Sequence, residues 1–278
     1  VDTNYLAGLT GVVDSGGTIR ALALENVGTN DTQSLYVGGQ FSSFNGTASG
    51  NLVRLNSNGT VDAAFNVATG ANNRVDALAV QSDGKLVVGG LFTSIQNTNW
   101  SFIARLETNG VADTNFNIGL GPDGPVRAIA VHTNTVDPGQ ASLVGKIVFV
   151  GDFETVNGVV RRGIARLNAD GTLDTTFNLD GVNLGASVNA VAIDSNGNIV
   201  IGGTFTSFVD GAGTTIPARR LARLDSLSGG PDLMFLPNIN DFVNGIAIDV
   251  DGNLIIVGGF TQVNGVPKNR IARLKPTV

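Results

Sequence analysis

Few side chains in this sequence could support catalysis. It contains one histidine, His132, and no cysteine, so a Cys–His nucleophilic pair is excluded and a zinc site would rest mostly on carboxylates. No Gly-x-Ser-x-Gly nucleophile elbow is present for a Ser–His–Asp arrangement. A glycosidase needs paired carboxylates, yet glutamate occurs only at Glu25, Glu107 and Glu154, and Asp76 is essentially the one carboxylate expected on an inner strand. The scarcity of catalytic residue types argues against an enzyme. A polysaccharide-active enzyme is kept as the alternative hypothesis.

Arginine and aspartate instead recur at fixed positions of a repeated sequence. The segments IRALAL, VDALAV, VRAIAV, VNAVAI and VNGIAI align without gaps, at intervals of roughly 50–60 residues. The repeated arginines are Arg54, Arg105, Arg166, Arg223 and Arg273, and the corresponding aspartates of an Asp-x-x-Phe motif are Asp62, Asp113, Asp174, Asp232 and Asp2. Because an active site occurs once whereas these residues occur in each repeat, we expect each arginine to hold a carboxylate or strand-end carbonyls structurally.

The repeat predicts short strands. Runs of Val, Ile, Leu and Phe are separated by Asn-Gly and Asp-Gly turns, and no stretch has a convincing helical period. Small residues such as Ala21 and Ala23 indicate a crowded innermost strand, and its other face, Leu22 and Leu24 in the first repeat, is expected to fill the space toward the next blade. The recurring aromatic residues are expected in the core: Phe41, Phe92, Phe153, Phe205 and Phe260, and Phe65, Phe116, Phe177, Phe235 and Tyr5. An all-strand repeat of this length is typical of a β-propeller blade.

The two chain ends share one repeat. The fifth copy stops at IARLKPTV, before its Asp-x-x-Phe piece, and the opening VDTNYL supplies that piece with Asp2 and Tyr5. We therefore predict an all-β, five-bladed β-propeller as a single domain over residues 1–278, whose last blade is closed by the N-terminal strand. The predicted blades span residues 16–66, 74–117, 125–178, 187–236, and 242–278 plus 1–6. An open solenoid would need capping repeats. A larger ring, and completion of a neighbouring copy's blade by VDTNYL, stay open as alternatives.

The position that begins each innermost strand varies between repeats, as a single asymmetric site requires. Its residues are Arg20, Asp76, Arg127, Asn189 and Asn244. In a propeller these side chains can surround one mouth of the central channel, where they would bind a small polar ligand, an ion or an acidic sugar. The alternative is that the charged members neutralise one another.

Two other features could bind a ligand. Asp249, Asp251 and Asn253 resemble the first half of a calcium loop, although no later bidentate carboxylate follows and the segment also fits a plain hairpin turn, so Ca²⁺ is possible and no cofactor is required. Trp100, the only tryptophan, lies in an irregular loop, where repeat proteins tend to bind. It is either a recognition anchor or folds back onto its blade.

Composition restricts the partners. A net charge of −6 and a pI of about 4.7 oppose binding to nucleic acid or anionic lipid. No apolar run approaches the roughly 18 residues of a membrane span, so no membrane insertion is expected. The first residue is Val rather than Met, and we expect the chain to be part of a larger polypeptide.

The pattern VDALAVQSDGKLVVGGLFTS…IARLETNGVADTNFN closely resembles the delta-60 repeat, a bacterial β-propeller repeat, over essentially the whole chain. The resemblance implies an extracellular or cell-surface bacterial protein, often very large, with no established catalytic site. The predicted function is a non-enzymatic binding or structural module that acts in adhesion or carbohydrate binding. It would contact a glycan, a matrix component or a protein at a loop face. A subunit of an extracellular assembly is a further alternative.

Overall fold

A computed structural model describes residues 11–12, 16–25, 33–65, 69–133, 138–183 and 185–275 of the chain. It divides into two compact units, Val1–Val126 and Arg127–Val278. Regular structure in these ranges is β-strand except for one short 3₁₀ helix, Pro138–Leu143. Within the described ranges, no helix has the length and hydrophobicity needed to cross a bilayer.

Five three-stranded sheets follow one another along the described chain, and in each the second strand lies between the first and the third. The first strands are β1 (Thr18–Leu24), β6 (Val75–Val80), β9 (Val126–Val131), β15 (Val188–Ile193) and β20 (Val243–Ile248). The second strands are β2 (Leu35–Gln40), β7 (Leu86–Gly90), β10 (Ile147–Gly151), β16 (Ile199–Gly203) and β21 (Leu254–Gly258). The third strands are β5 (Leu52–Leu55), β8 (Ile103–Leu106), β13 (Ile164–Leu167), β19 (Leu221–Leu224) and β24 (Ile271–Leu274). Second and third strands pair antiparallel in every sheet.

A short outer hairpin connects the second and third strands. Three of these hairpins are β3 (Ser43–Phe44) with β4 (Thr47–Ala48), β11 (Thr155–Val156) with β12 (Val159–Val160), and β22 (Gln262–Val263) with β23 (Val266–Pro267). The fourth repeat has the longer pair β17 (Ser207–Asp210) and β18 (Thr215–Pro217), which β14 (Leu179–Val182) extends. The second repeat has only an isolated bridge between Ile95 and Thr98.

The apolar core lies between successive sheets inside each unit. One cluster joins the first two sheets through residues such as Leu52 and Val88, and others join the third to the fourth and the fourth to the fifth. All nine described phenylalanines that were predicted as core residues are buried. Their recurrence in every repeat follows from this shared environment between sheets.

In the second and fifth repeats, a large residue of the first strand packs toward the preceding sheet, and the prediction that it faces the next blade is wrong. A Cβ added to Gly38 would lie 3.2 Å from Leu78 Cδ1, and one added to Gly202 would lie 3.2 Å from Ile246 Cδ1. The glycine in the second strand of one sheet thus leaves room for the side chain of the following sheet. Leu22 is more than half exposed.

A β-bulge recurs where the first strand pairs with the second. The register shifts between Ile19 and Ala21, Val75 and Ala77, Val188 and Ala190, and Val243 and Gly245. Opposite each bulge lies a glycine whose missing side chain makes the close approach possible, since a Cβ on Gly203 would collide with the carbonyl oxygen of Ser187. Gly39, Gly90 and Gly258 make the same approach. The bulge therefore explains one glycine of each Val-Gly-Gly or Ile-Gly-Gly motif.

Each third strand carries a repeated arginine, and in four repeats it pairs with the predicted aspartate. The pairs are Arg54–Asp62, Arg105–Asp113, Arg166–Asp174 and Arg223–Asp232, with nitrogen–oxygen distances of 2.7, 2.8, 2.7 and 2.7 Å. The guanidinium Cζ lies 4.6–4.9 Å from the ring centroid of the phenylalanine of the same Asp-x-x-Phe motif. The predicted structural role of these pairs is confirmed, and we call each Arg–Asp–Phe group an Arg clamp.

The Arg clamp also reaches the following repeat. Arg54 Nη1 donates to the carbonyl oxygen of Thr108 at 2.7 Å, and Arg166 Nη2 donates to that of Leu227 at 2.8 Å. Each carbonyl belongs to the turn after the third strand of the next sheet. One guanidinium therefore stabilises its own blade and the junction with its neighbour.

Arg273 has different partners. Its Nη2 lies 2.6 Å from Asp249 Oδ2 and 3.2 Å from Asp251 Oδ2, and its side chain is 57% exposed. Asp2 and Tyr5, the predicted partners, lie outside the described residues.

Replacing Gly203 with Ala should destabilise the protein more than replacing Gly202 with Ala. The first methyl meets a backbone carbonyl at the bulge, whereas the second lies 2.6 Å from the Val243 Cγ1 side-chain atom, which can shift. We expect a loss of about 1–3 kcal/mol for Gly202→Ala, typical of overpacking, and a larger loss for Gly203→Ala. Urea unfolding measures both free energies. Equal losses would contradict the assignment of Gly203 to the bulge.

Removing the aspartate should cost most where the Arg clamp is buried. In the third repeat Arg166 and Asp174 are 1% and 3% exposed, and in the fourth Arg223 and Asp232 are 17% and 28% exposed. Asp174→Ala leaves a buried guanidinium unpaired, so we expect a loss of about 3–5 kcal/mol in the free energy of unfolding. The matched variant Asp232→Ala should lose about 1 kcal/mol. Similar losses in the two variants would show that burial of the pair does not set its strength.

Candidate functional site

The predicted channel-mouth residues coincide with the recurring bulge. Arg20, Asp76, Asn189 and Asn244 are the residues at which the register of the first strand shifts. A bulge turns the side chain of the extra residue out of the regular alternation and bends the strand. The position that varies between repeats is therefore the one whose side chain the bulge turns out of the regular alternation of the strand.

The structure brings some of these residues together. In the first unit Arg20 Nε lies 3.7 Å from Asp76 Oδ1. In the second unit Asn189 Nδ2 donates to Asn244 Oδ1 at 3.0 Å. Arg127 has a partner in its own sheet, since its Nε donates to Asp152 Oδ2 at 2.8 Å.

Two further residues belong to this set and were missed by sequence reasoning. Arg74 donates two hydrogen bonds to the carboxylate of Asp76, at 2.7 and 2.9 Å. Asp152 is the partner of Arg127. The signal for Arg74 was its position two residues before Asp76, within reach of a long arginine side chain. Asp152 stands directly after the repeated glycine, where the other repeats have uncharged residues.

These contacts favour binding over acid–base chemistry at this position. Both oxygens of the Asp76 carboxylate already accept hydrogen bonds from the Arg74 guanidinium. A glycosidase would need a second carboxylate paired with it. Asn189 Nδ2 already donates to Asn244 Oδ1 and to the Val243 carbonyl, whereas the amide of Asn244 and the half-exposed side chain of Arg20 can still donate to a polar ligand. Ligand binding here stays a prediction.

In the turn Asp249–Asn253, the side-chain oxygens of Asp249 already accept hydrogen bonds from other residues of the same turn. Asp249 Oδ1 accepts from the backbone N–H of Asp251 at 3.0 Å and of Asn253 at 2.9 Å, and Asn253 Nδ2 donates to the same carboxylate. Arg273 contacts both Asp249 and Asp251. Within the described ranges, no group of three or more His, Asp or Glu residues could hold a metal ion. Calcium binding at this turn stays a prediction, and it would have to displace Arg273.

Trp100 is half-buried, and it packs against the apolar cluster that contains Phe92 and Leu106. Its remaining surface lines a groove of about 350 Å³ together with Thr98, Thr114 and other residues. Trp100 therefore folds back onto its blade with part of its side chain, and its role as a recognition anchor stays a prediction.

His132 occupies the position that follows the first strand, where the second repeat has Gln81. Its backbone N–H donates to Lys146 O at 3.0 Å, just as that of Gln81 donates to Lys85 O. The His132 side chain is 2% exposed, and neither ring nitrogen has a hydrogen-bond partner among the described residues. Burial, together with the charges of Arg166 and Lys146, lowers the pKa of His132 to about 4.

Protonation of His132 should therefore destabilise the fold in mild acid. The unfolded chain takes up a proton near pH 6.5 and the folded protein only near pH 4, so stability is lost as the pH falls between these values. We expect His132 to contribute a loss of about 2–3 kcal/mol between pH 7.5 and 4.5.

The matched variant is His132→Gln, because Gln81 accepts a hydrogen bond from Arg105 Nη1 at 3.3 Å at the equivalent position. Urea unfolding at both pH values should show this part of the acid sensitivity only in the unmodified protein. An equal loss of stability in the variant would contradict the assignment.

Four segments of the chain, residues 34–65, 81–116, 145–177 and 251–277, match a family described as a domain of unknown function (DUF5122) β-propeller. No curated protein sequence matches the chain.

Solved structures resemble the chain at low sequence identity. The WD40 β-propeller domain of Doa1 has a TM-score of 0.52 and 13% identity, and covers 90% of this chain, which spans only 62% of that chain. The extracellular domain of the putative one component system BT4673 from B. thetaiotaomicron has a TM-score of 0.49 and 14% identity, covering 92% of this chain and 27% of that one. The gluconolactonase XC5397 from Xanthomonas campestris has a TM-score of 0.49 and 15% identity, covering 99% and 82%. The predicted resemblance is confirmed in the four segments that match this β-propeller family, and the chain has an all-β propeller fold.

Proposed function

We propose that the protein is a non-enzymatic binding module of a bacterial surface or secreted protein, in which a five-bladed propeller presents its variable loops to a partner. The observation that carries the proposal is that the residues that recur in the repeats and the residues that vary between repeats have different places in the structure. Repeated Arg, Asp and Phe side chains are used within the Arg clamps. The residues that differ between repeats stand at the bulge and in the outer hairpins.

Contacts of residues 11–12 support closure by the N-terminal strand. Gly11 N–H donates to Asn45 Oδ1 at 2.6 Å, and Val12 bridges to Phe44 in the first outer hairpin. In the fifth repeat, Asn238 N–H donates to Asn264 Oδ1 at 2.7 Å, and Ile239 bridges to Val263. In the first and fifth repeats, the segment that precedes the outer hairpin therefore pairs with that hairpin in the same way.

The upstream sequence extends this equivalence. Asn238 follows the motif Asp232–Phe235, whose aspartate completes the Arg clamp of the preceding repeat. Gly11 follows the motif Asp2–Tyr5 in a similar way. By this equivalence, Asp2 would complete the Arg clamp of the blade that precedes the first blade in space. In a closed five-bladed ring that blade is the fifth, which contains Arg273. A strand tethered in the same chain has a high effective concentration, which favours closure within one chain over closure between chains.

The proposed location is extracellular or at the cell surface, and it rests on the family resemblance. The proposed partners are a glycan, a matrix component or a protein at a loop face, and neither nucleic acid nor membrane insertion is proposed because of the acidic pI of about 4.7 and the lack of a long apolar run. No cofactor is required, although Ca²⁺ at Asp249, Asp251 and Asn253 stays compatible with the proposal.

A glycan array with product analysis tests the proposed function. We expect the protein to retain glycans without releasing any hydrolysis product, and the variant Asp76→Asn to behave in the same way, because Arg74 already holds that carboxylate at 2.7 Å. Hydrolysis that the Asp76→Asn substitution abolishes would contradict the proposal and establish a polysaccharide-active enzyme. A lack of retention of any glycan, matrix component or protein would also contradict it.

A further inference from the structure

The outer hairpin of the second repeat, which carries Trp100, differs from the other described outer hairpins in backbone as well as in sequence. The residues equivalent to Trp100 are Ser49, Arg161, Ala218 and Lys268. The backbone N–H of each of these donates across its hairpin, to Ser42, Glu154, Thr206 and Thr261. Trp100 N–H donates instead to Thr98 O at 2.9 Å, only two residues away. The chain at Trp100 has therefore left the hairpin geometry that the other repeats keep.

The turn that precedes Trp100 is strained and tightly held. Gln96 and Asn97 have φ values of 52° and 61°, whereas the first, third and fifth repeats place an Asn-Gly pair at this turn. A side chain in place of glycine at positive φ costs about 1–2 kcal/mol. Gln96 Oε1 accepts from Ala112 N–H at 2.8 Å, and its Nε2 donates to Gly110 O. The longer glutamine thus fixes the outer hairpin to the turn that leads into Asp113, and backbone strain of this kind is a reason to look for function nearby.

The groove lies between these two fixed segments. Thr98 and Trp100 line one side, and Thr114, Phe116 and Asn117 line the other. Its volume of about 350 Å³ falls at the lower end of the range for small-ligand sites, roughly 300–1,000 Å³. Phe116 is buried beneath Arg105 in the Arg clamp, so this wall belongs to the rigid framework. The groove is therefore preformed, which lowers the entropic cost of binding.

The chemistry of the lining is aromatic and polar without charge. Trp100 offers an indole ring that packing against the core cluster holds in place. Thr98, Thr114 and Asn117 supply hydroxyl and amide groups that can both donate and accept hydrogen bonds. None of the described residues that line the groove is charged, and an ionised ligand would lose hydration there without a counter-charge.

We propose that this groove, the Trp100 groove, binds a neutral saccharide. A pyranose ring has an apolar C–H face that can lie on the indole and hydroxyl groups at its rim that suit threonine and asparagine. The inference rests on the proposed binding function and deepens it, because it assigns both a place and a ligand class to the site. It also separates this site from the bulge residues, where the cations Arg20 and Arg74 would favour an acidic ligand.

Intrinsic fluorescence tests the proposal directly, since Trp100 is the single tryptophan of the chain. The full chain is titrated with methyl glycosides and short oligomers of glucose, galactose, mannose and N-acetylglucosamine, and with matching uronic acids. We expect a saturable change in tryptophan emission with at least one neutral saccharide, and at least tenfold weaker binding of its uronic acid counterpart.

Variants of exposed residues locate the binding without disturbing the core. The double variant Thr114→Val, Asn117→Ala should weaken binding at least tenfold. Thr175→Val is the matched control, because Thr175 is the exposed equivalent of Thr114 in the third repeat, which has no tryptophan. This control should leave the affinity unchanged.

Three results would overturn the proposal. Equal or tighter binding of uronic acids would contradict a neutral ligand, and a change in emission caused by peptides but by no saccharide would assign the groove to a protein. Retention of glycans on the array with unchanged tryptophan emission would place the glycan site elsewhere and leave the proposed function standing. Failure to retain any glycan, matrix component or protein would remove both proposals together.

Discussion

A guanidinium held between a carboxylate and an aromatic ring is the interaction on which the repeated architecture depends. In the third repeat Arg166 is 1% exposed, and a charge buried to that extent is tolerated only when it is paired and hydrogen-bonded. Its partners come from its own repeat, through Asp174 and Phe177, and from the next repeat, through the carbonyl of Leu227. A single repeat cannot supply this complete set of partners. In the first and third repeats, the Arg clamp therefore makes a blade depend on its successor.

This framework leaves a small number of positions free to vary. The paired glycines and the recurring bulge fix the backbone of the first two strands, and the residue at the bulge is turned away from the sheet. The outer hairpins are fixed at both ends but differ in their turn residues, as Gln96 shows. Binding residues on such positions have rigid support, while changes in them disturb the core little. This separation would allow one repeat, the second, to carry the proposed site in the Trp100 groove.

Features that recur in the repeats were predictable from the sequence, because equivalent residues occupy the same environment in successive blades. The core phenylalanines and the Arg–Asp pairs are of this kind. The contacts of Arg74 and Asp152 were not predicted, since each involves a charged residue that stands in one repeat and is not part of the repeated pattern. The direction in which Leu78 packs was predicted wrongly, because alternation along a strand identifies a face without saying which sheet covers it. The Trp100 groove was not predictable from the sequence either, since its walls come from two segments that a single glutamine side chain holds together.

The measurement that tests the central claim most directly is a double-mutant cycle between Asp2 and Arg273. The free energy of unfolding is measured for the parent chain, Asp2→Ala, Arg273→Ala and the double variant, with Asp232 and Arg223 as the reference cycle. If Asp2 completes the fifth Arg clamp within the same chain, a coupling energy of about 0.5–3 kcal/mol is predicted, independent of protein concentration. A coupling indistinguishable from zero, beside a normal value for the reference cycle, would contradict closure of the ring by the N-terminal strand.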